Sequence, residues 1–423
     1  MKTIRRQSII SSALVYAGFA LGLLNTYLFT REGSGFSKSD YGLINVFIAL
    51  GSLMFSFASL GMPAYIGKFF PYYKDHLQRK NNDMAAIALG SGTVGFILVM
   101  LAGWLFKDLV IQKYGTNAPD LITYYKWIFP FGMGYTFYCL LEAYAWQLQK
   151  TILTNFLREV QFRALTTLLI IVYAAGLIHD FGLFIKCYAL TYLVLALSLA
   201  FLLYRDHELQ LTFQLSKVTR RFRKKIFALV SFIWSGSLLF MISSVFDTLV
   251  ISAVLPNGLA FAGIYTLAQN MGSLIQAPQR GIASASIAVL SRSWKDKNLQ
   301  KIKQVYHSSS INQVLFACGM FLLIWMNFNA GVSFFHLQTD YLQAKEIFFY
   351  IGLMRIIDMG TGVNAQIIGT SSKWRFDFIT GIILIVITLP LNYWMTKHMG
   401  AVGPAIANLF SISIYNAVRF YFL

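Results

Sequence analysis

Among the charged side chains that fall inside long apolar stretches are Asp247, Arg280, Arg355 and Asp358. Charge at membrane depth is costly, so such residues mark a pathway, a binding site or a buried pair. Arg280 lies in Gln276-Ala277-Pro278-Gln279-Arg280-Gly281. Pro278 removes a backbone donor and predicts a kink or break there. A guanidinium beside such a break can hold a phosphate through two parallel hydrogen bonds; its competing duty is to snorkel or to pair structurally. Arg355 and Asp358 are three residues apart, which places them on one helical face. They read either as a self-neutralising pair or as an anion site that the acid tunes. Asp247 reads as the partner of a base or as a coupling site for a proton or Na+. Lys68 follows the second apolar run and could meet an anionic headgroup. Asn25, Asn45, Gln269, Asn270 and Asn364 add uncharged polar groups whose first expected duty is hydrogen bonding between helices.

Covalent chemistry finds no such support. The sequence has no Walker loop, no His-Glu-x-x-His and no Gly-x-Ser-x-Gly. Its six histidines never fall at metal-ligand spacing, and Cys139, Cys187 and Cys318 sit in apolar runs as packing residues. We expect no enzyme, no metal and no cofactor, with a H+ or Na+ gradient as the energy source that remains open.

The elements that carry these residues follow from composition. Of 423 residues, 57% are hydrophobic and 12% charged, and the mean hydropathy is +0.59. A soluble domain carries about 25% charged residues, so the chain reads as a polytopic membrane protein. A span needs about 20 apolar residues. That rule predicts twelve helices, over 8–29, 41–62, 84–106, 121–142, 160–178, 182–204, 226–255, 259–290, 305–328, 344–369, 377–395 and 401–423. Solidly apolar runs such as Ile382 to Leu389 do not alternate as a membrane barrel would. The first run is too long for a signal-peptide core and reads as an uncleaved span.

The net charge of +18 would suggest nucleic acid in a soluble protein; here no nucleic acid is expected, because the basic residues cluster between spans. With the N-terminus inside, segments predicted to face the cytoplasm hold 24 Lys and Arg against 7 in the outer loops. The richest segment, 205–225, ends Arg220-Arg221-Phe222-Arg223-Lys224-Lys225 and divides the spans six and six. It reads as a linker between an N-terminal bundle, 1–204, and a C-terminal bundle, 226–423. Basic residues there also attract anionic lipid. Gly51-Ser52-Leu53-Met54 resembles Gly272-Ser273-Leu274-Ile275, and Lys-Asp pairs end both 25-residue windows, at Asp75 and Asp296, for seven identities. Two parallel six-helix halves are expected.

Asp40-Tyr41-Gly42, Gly61-Met62-Pro63-Ala64, Lys68-Phe69-Phe70-Pro71-Tyr72-Tyr73, Phe246-Asp247-Thr248, Gly263-Ile264-Tyr265-Thr266-Leu267-Ala268 and Pro278 occur in order along the chain. In these residues the sequence resembles the Wzx-type polysaccharide (O-antigen) flippases of the multidrug/oligosaccharidyl-lipid/polysaccharide exporter superfamily. The resemblance implies an all-α fold of two six-helix bundles around a central cationic cavity in a bacterial cytoplasmic membrane. It also implies alternating access for an undecaprenyl-diphosphate-linked oligosaccharide used to build O-antigen or capsule. The diphosphate would meet Arg280 and Arg355. Partners would be that lipid-linked substrate, membrane lipids and other polysaccharide assembly proteins. Members often have fourteen spans, whereas this sequence stops at the twelfth, so it reads as a fragment or as a form without a lipid-facing pair. Rival readings are a cation-coupled multidrug exporter, a lipid II flippase, a membrane glycosyltransferase or polymerase, and a scaffold. The first would want an acid in the first span, which has none.

Overall fold

A computed structural model describes residues 2–422 except 79, 80, 213 and 372; Arg280 is described through its backbone only. Every element among the described residues is helical. Helices alone can satisfy each backbone group within its own segment in lipid.

The longer helices are α1 (Lys2–Thr30), α2 (Lys38–Ala58), α3 (Met62–His76), α4 (Met84–Leu105), α5 (Tyr125–Gln147), α6 (Phe162–Ala174) and α7 (Thr191–Arg205). They continue as α8 (Lys217–Val254), α9 (Gly258–Lys295), α10 (Leu299–Met326), α11 (Ala344–Gly360), α12 (Trp374–Met399) and α13 (Gly403–Phe422). Each predicted span falls on helical structure, and the chain is an all-α, polytopic membrane protein. Among the described residues, seven helical segments are long and apolar enough to cross a bilayer on those grounds alone. The others, such as α5, α9 and α11, carry Tyr, Gln, Asn or charged residues that dilute their apolarity.

Local sequence explains the departures from the predicted limits. The second span ends early because Leu60 and Gly61 take positive φ, 45° and 71°, before Pro63 starts α3. Span ten is divided at Gly362, whose φ is 60°. A π-helical turn, Phe156–Gln161, precedes α6. Of the kink or break expected at Pro278, the helix is not broken: α9 runs from Gly258 to Lys295 through it. Neighbouring helices can re-satisfy the group a proline frees.

The chain divides into two compact units, one of Met1–Ser37 and Leu43–Val245, the other of Lys38–Gly42 and Phe246–Leu423. In the first, α5 is the hub and packs on α3, α4 and α7, while α1 packs on the π-turn and α6. Phe131 stacks on Tyr188 and meets Tyr192 edge-on, at 5.6 and 5.2 Å between centroids. In the second, α11 packs on α9, α10 and α13, and α12 pairs with α13.

Lipid is as apolar as leucine, so helices in a bilayer associate by close packing and hydrogen bonds. Small residues make this possible. A Cβ on Gly42 would lie 1.8 Å from the Leu259 carbonyl oxygen, and one on Gly263 2.5 Å from that of Lys38. The two ends of the crossing are thus backbone against backbone. The repeated Gly51 and Gly272 do matching work in their own units: added methyls would strike Phe131 at 2.7 Å and Ile351 at 2.5 Å. Gly67 on α3 faces open space. Gly42→Ala should therefore cost about 1–3 kcal/mol as overpacking, whereas Gly67→Ala should be neutral or stabilising by up to about 1 kcal/mol. Thermal unfolding of the two variants in detergent tests the contrast.

Candidate functional site

Asp247 sits on α8 and is 6% exposed. Three uncharged donors from three other helices surround its carboxylate. The Tyr265 hydroxyl of α9 donates to Oδ2 at 2.7 Å, Asn408 Nδ2 of α13 donates to the same oxygen at 2.7 Å, and Asn392 Nδ2 of α12 donates to Oδ1. Arg355 on α11 lies within electrostatic range of both Asp247 and Tyr265. A buried carboxylate must be paired or hydrogen-bonded; here neutral donors do most of that work and a cation stands nearby. The arrangement can stabilise an anion, and it can also take a proton or a small cation on the carboxylate.

Asp358, one turn along α11 from Arg355, gathers a second set. Gln279 Nε2 donates to its Oδ2 at 3.1 Å and Asn416 Nδ2 to its Oδ1 at 3.2 Å. Asn416 in turn accepts from Asn364 Nδ2 at 3.3 Å. The Arg419 guanidinium, 3% exposed, lies 4.0 Å from the Tyr415 ring and within electrostatic range of Asp358. Gln279 Oε1 is buried without a hydrogen-bond partner among the described residues. This second set is rich in amides and carries both signs of charge, which suits a polar, hydroxyl-bearing or phosphate-bearing ligand.

Of the candidates from sequence, Asp247, Arg355 and Asp358 belong to the second unit and form these two neighbouring sets. Lys68 belongs to the first unit and is exposed on α3. The Arg280 side chain lies outside the described residues. Of the amides expected to act between helices, Asn25 Nδ2 donates to the Arg163 carbonyl at 3.0 Å and its Oδ1 accepts from Thr167 at 2.6 Å, Asn270 donates to the Tyr41 hydroxyl at 3.1 Å, and Asn364 makes the bond to Asn416 given above.

The first unit holds a charge pair that the sequence reading passed over. Glu142 on α5 is 3% exposed, and Arg158 Nη1 of the π-turn lies 3.1 Å from its Oε2. Tyr138, one turn before Glu142, donates to the Thr154 carbonyl at 2.9 Å. Glu142 falls at the edge of its predicted span, where a charge looks solvated. A π-turn is a frequent companion of functional sites. Beyond the spans, the Lys150 ammonium donates to Asp206 at 2.5 Å and holds that carboxyl below the usual carboxylate range.

The fold of this all-α chain is that of transporters of the MOP superfamily. The inward closed lipid II flippase MurJ is 14% identical over 98% of this chain and 87% of that one, with a TM-score of 0.72. An inward-facing multidrug resistance MATE-family transporter of the MOP superfamily is 15% identical over 98% and 96%, with a TM-score of 0.74. A MOP-superfamily transporter from Pyrococcus furiosus, described as having a binding pocket of reversed polarity, is 15% identical over 98% and 94%, with a TM-score of 0.61. At these identities the likeness is one of fold. The first of these neighbours is named as a flippase and the other two as transporters. No protein-family model and no curated protein matches the chain.

The Asp247 set makes a stability prediction. Asp247→Leu strands three buried donors, each at about 1–3 kcal/mol, whereas Asp247→Asn keeps an acceptor oxygen in place. Thermal unfolding should show a large loss for the first and a smaller one for the second.

Proposed function

We propose that this chain is a flippase that carries an undecaprenyl-diphosphate-linked oligosaccharide across a bacterial cytoplasmic membrane by alternating access. The N-terminus is inside, and the product feeds O-antigen or capsule synthesis together with other polysaccharide assembly proteins. The observation that carries the reading is that the acids at depth have arginines near them. α1 contains no acidic residue, and the acids at depth in the second unit, buried Asp247 and half-buried Asp358, stand within reach of arginines, Asp247 of Arg355 and Asp358 of Arg419. A cation-coupled drug exporter wants acids free to meet a cationic cargo. A diphosphate wants guanidinium groups, which bind it through directed pairs of hydrogen bonds.

In this reading Arg355 and Arg280 bind the diphosphate, and Lys68 meets the headgroup at the cytoplasmic side. Asp358 tunes the arginine next to it. The amides of Gln279, Asn364 and Asn416 offer hydrogen bonds to sugar hydroxyls. Asp247 is the coupling residue: a proton or Na+ on its carboxylate would compete with the donors from α9, α12 and α13. That competition links ion occupancy to how tightly these helices are held to α8. The fold likeness to a lipid II flippase supports a lipid-linked cargo, and the equal likeness to a MATE transporter keeps drug export as the alternative.

Proteoliposomes carrying a fluorescent undecaprenyl-diphosphate oligosaccharide test the proposal. Wild type should move the lipid. Arg355→Ala and Arg280→Ala should each lower the rate at least about tenfold, the loss of one charged hydrogen-bonded contact, and Asp247→Asn should abolish its dependence on an ion gradient. Cationic dye movement without lipid movement, across several glycans and both ion gradients, would overturn the flippase reading in favour of drug export.

A further inference from the structure

The first nine residues of α8 contain six basic ones: Lys217, Arg220, Arg221, Arg223, Lys224 and Lys225. All six are exposed, and none forms an ion pair with a carboxylate among the described residues. At about 100° per residue, they cover an arc of roughly 200°. Val218, Thr219 and Phe222 occupy the remaining arc and turn inward.

That inward arc is firmly held. Asp83, 1% exposed, accepts from the Ser216 backbone N–H and from the Thr219 hydroxyl, both at 2.8 Å. Ser216 Oγ caps the helix by accepting from Thr219 N at 3.2 Å. The chain of hydroxyls continues from Thr219 to Tyr73 at 2.6 Å and from Tyr73 to Tyr65 at 2.7 Å. Burial pushes the Tyr73 phenol above its ordinary value. Beside it, the Phe222 ring packs on Phe69 and Tyr72, at 5.7 and 5.1 Å, and the Arg221 and Lys225 cations lie over the Phe222 ring at 5.7 and 5.9 Å. The basic arc is therefore a fixed surface and not a flexible polybasic tail.

The helix that carries this arc is longer than a bilayer's hydrocarbon. The 38 residues of α8 span about 57 Å at 1.5 Å per residue, against about 30 Å of hydrocarbon. The helix continues without a break from Lys225 into its apolar window, and Phe227 is fully turned outward. The helix is thus long enough to cross the hydrocarbon and carry its basic first turns beyond it on the same rigid rod, with the Phe222 and Phe227 rings next to them, as membrane interfaces favour.

We propose that the arc from Lys217 to Lys225 is a binding surface for the headgroups of anionic phospholipid. The charge complements phosphate-bearing headgroups, its side chains are not neutralised internally, and the same helix carries it to the membrane surface. An acidic protein would need no such continuity with a span. The surface would hold an annulus of anionic lipid against the first unit, independently of what the protein transports.

The test uses purified full-length protein with an equal mixture of phosphatidylglycerol and phosphatidylcholine, and counts retained lipids by native mass spectrometry. Wild type should retain phosphatidylglycerol about tenfold over phosphatidylcholine in low salt and approach parity at about 0.5 M salt, where screening is severe. Arg220→Gln/Arg221→Gln/Arg223→Gln/Lys224→Gln should sit near parity in both, and the variant with Lys at the three arginine positions should behave as wild type. Equal retention of the two lipids by wild type, or unchanged preference in the glutamine variant, would overturn the proposal. If the glutamine variant fails to fold, the salt response of wild type and the lysine variant decides. Lipid retention is read without transport, so its failure would leave the flippase reading untouched.

Discussion

A carboxylate inside a bilayer must find its hydrogen-bond donors within the protein, and Asp247 finds them on three helices at once. Its two oxygens accept from Tyr265, Asn392 and Asn408, so α8 is fastened to α9, α12 and α13 at one point. Removing water from around this group makes each bond electrostatically stronger and its loss dearer. The second unit's helix order depends on that point. α11 brings Arg355 to it, and one turn further the same helix delivers Asp358 to Gln279 and Asn416. Polar matching thus selects neighbours where apolar faces, being interchangeable with lipid, cannot.

Backbone approach is the other half of this selection. Gly42 and Gly263 bring α2 and α9 close enough for one helix's carbonyl to occupy the other's missing side chain. Lys38 at the start of α2 then reaches Asp340 at 2.9 Å, and Tyr41 accepts from Asn270. In the first unit the same economy of space seats α1 on the residues around Glu159, because Gly18 would place a methyl 2.7 Å from that residue's backbone and Cβ. The short motifs around Gly42 and Gly263 therefore have a steric reason that requires no ligand.

Much of the fold was legible because hydrophobic length is a local property: each apolar run can be measured without knowing its neighbours. The charges at depth were legible for the same reason, since Asp247, Arg355 and Asp358 interrupt such runs. Their partners were not. Asn392 and Asn408 lie 145 and 161 residues from Asp247, and an asparagine in an apolar run has no signature of which acid it will meet. Arg419, four residues before the end of the last predicted span, is buried beside Tyr415. Pro278 is a case in the other direction, since α9 continues as helix through it. Its chemistry forbids one hydrogen bond, but whether a helix breaks depends on what packs around it, which a local reading does not contain.

The π-turn at Phe156–Gln161 has a consequence for how this part of the chain is compared with any other. A turn closed by i→i+5 bonds holds an extra residue, and each residue in a helix advances the side-chain direction by about 100°. The positions before and after the turn are therefore out of phase with a single helical repeat. Glu159 and Arg163 nonetheless both meet α1, at Gly18 and Gly22, and Thr167 meets it again at Asn25. An alignment that closes a one-residue gap here would rotate every later assignment on α6 away from α1 while leaving the hydrophobic count unchanged. The turn acts as a frame shift in the grammar of helix faces, invisible to composition and decisive for which residues touch.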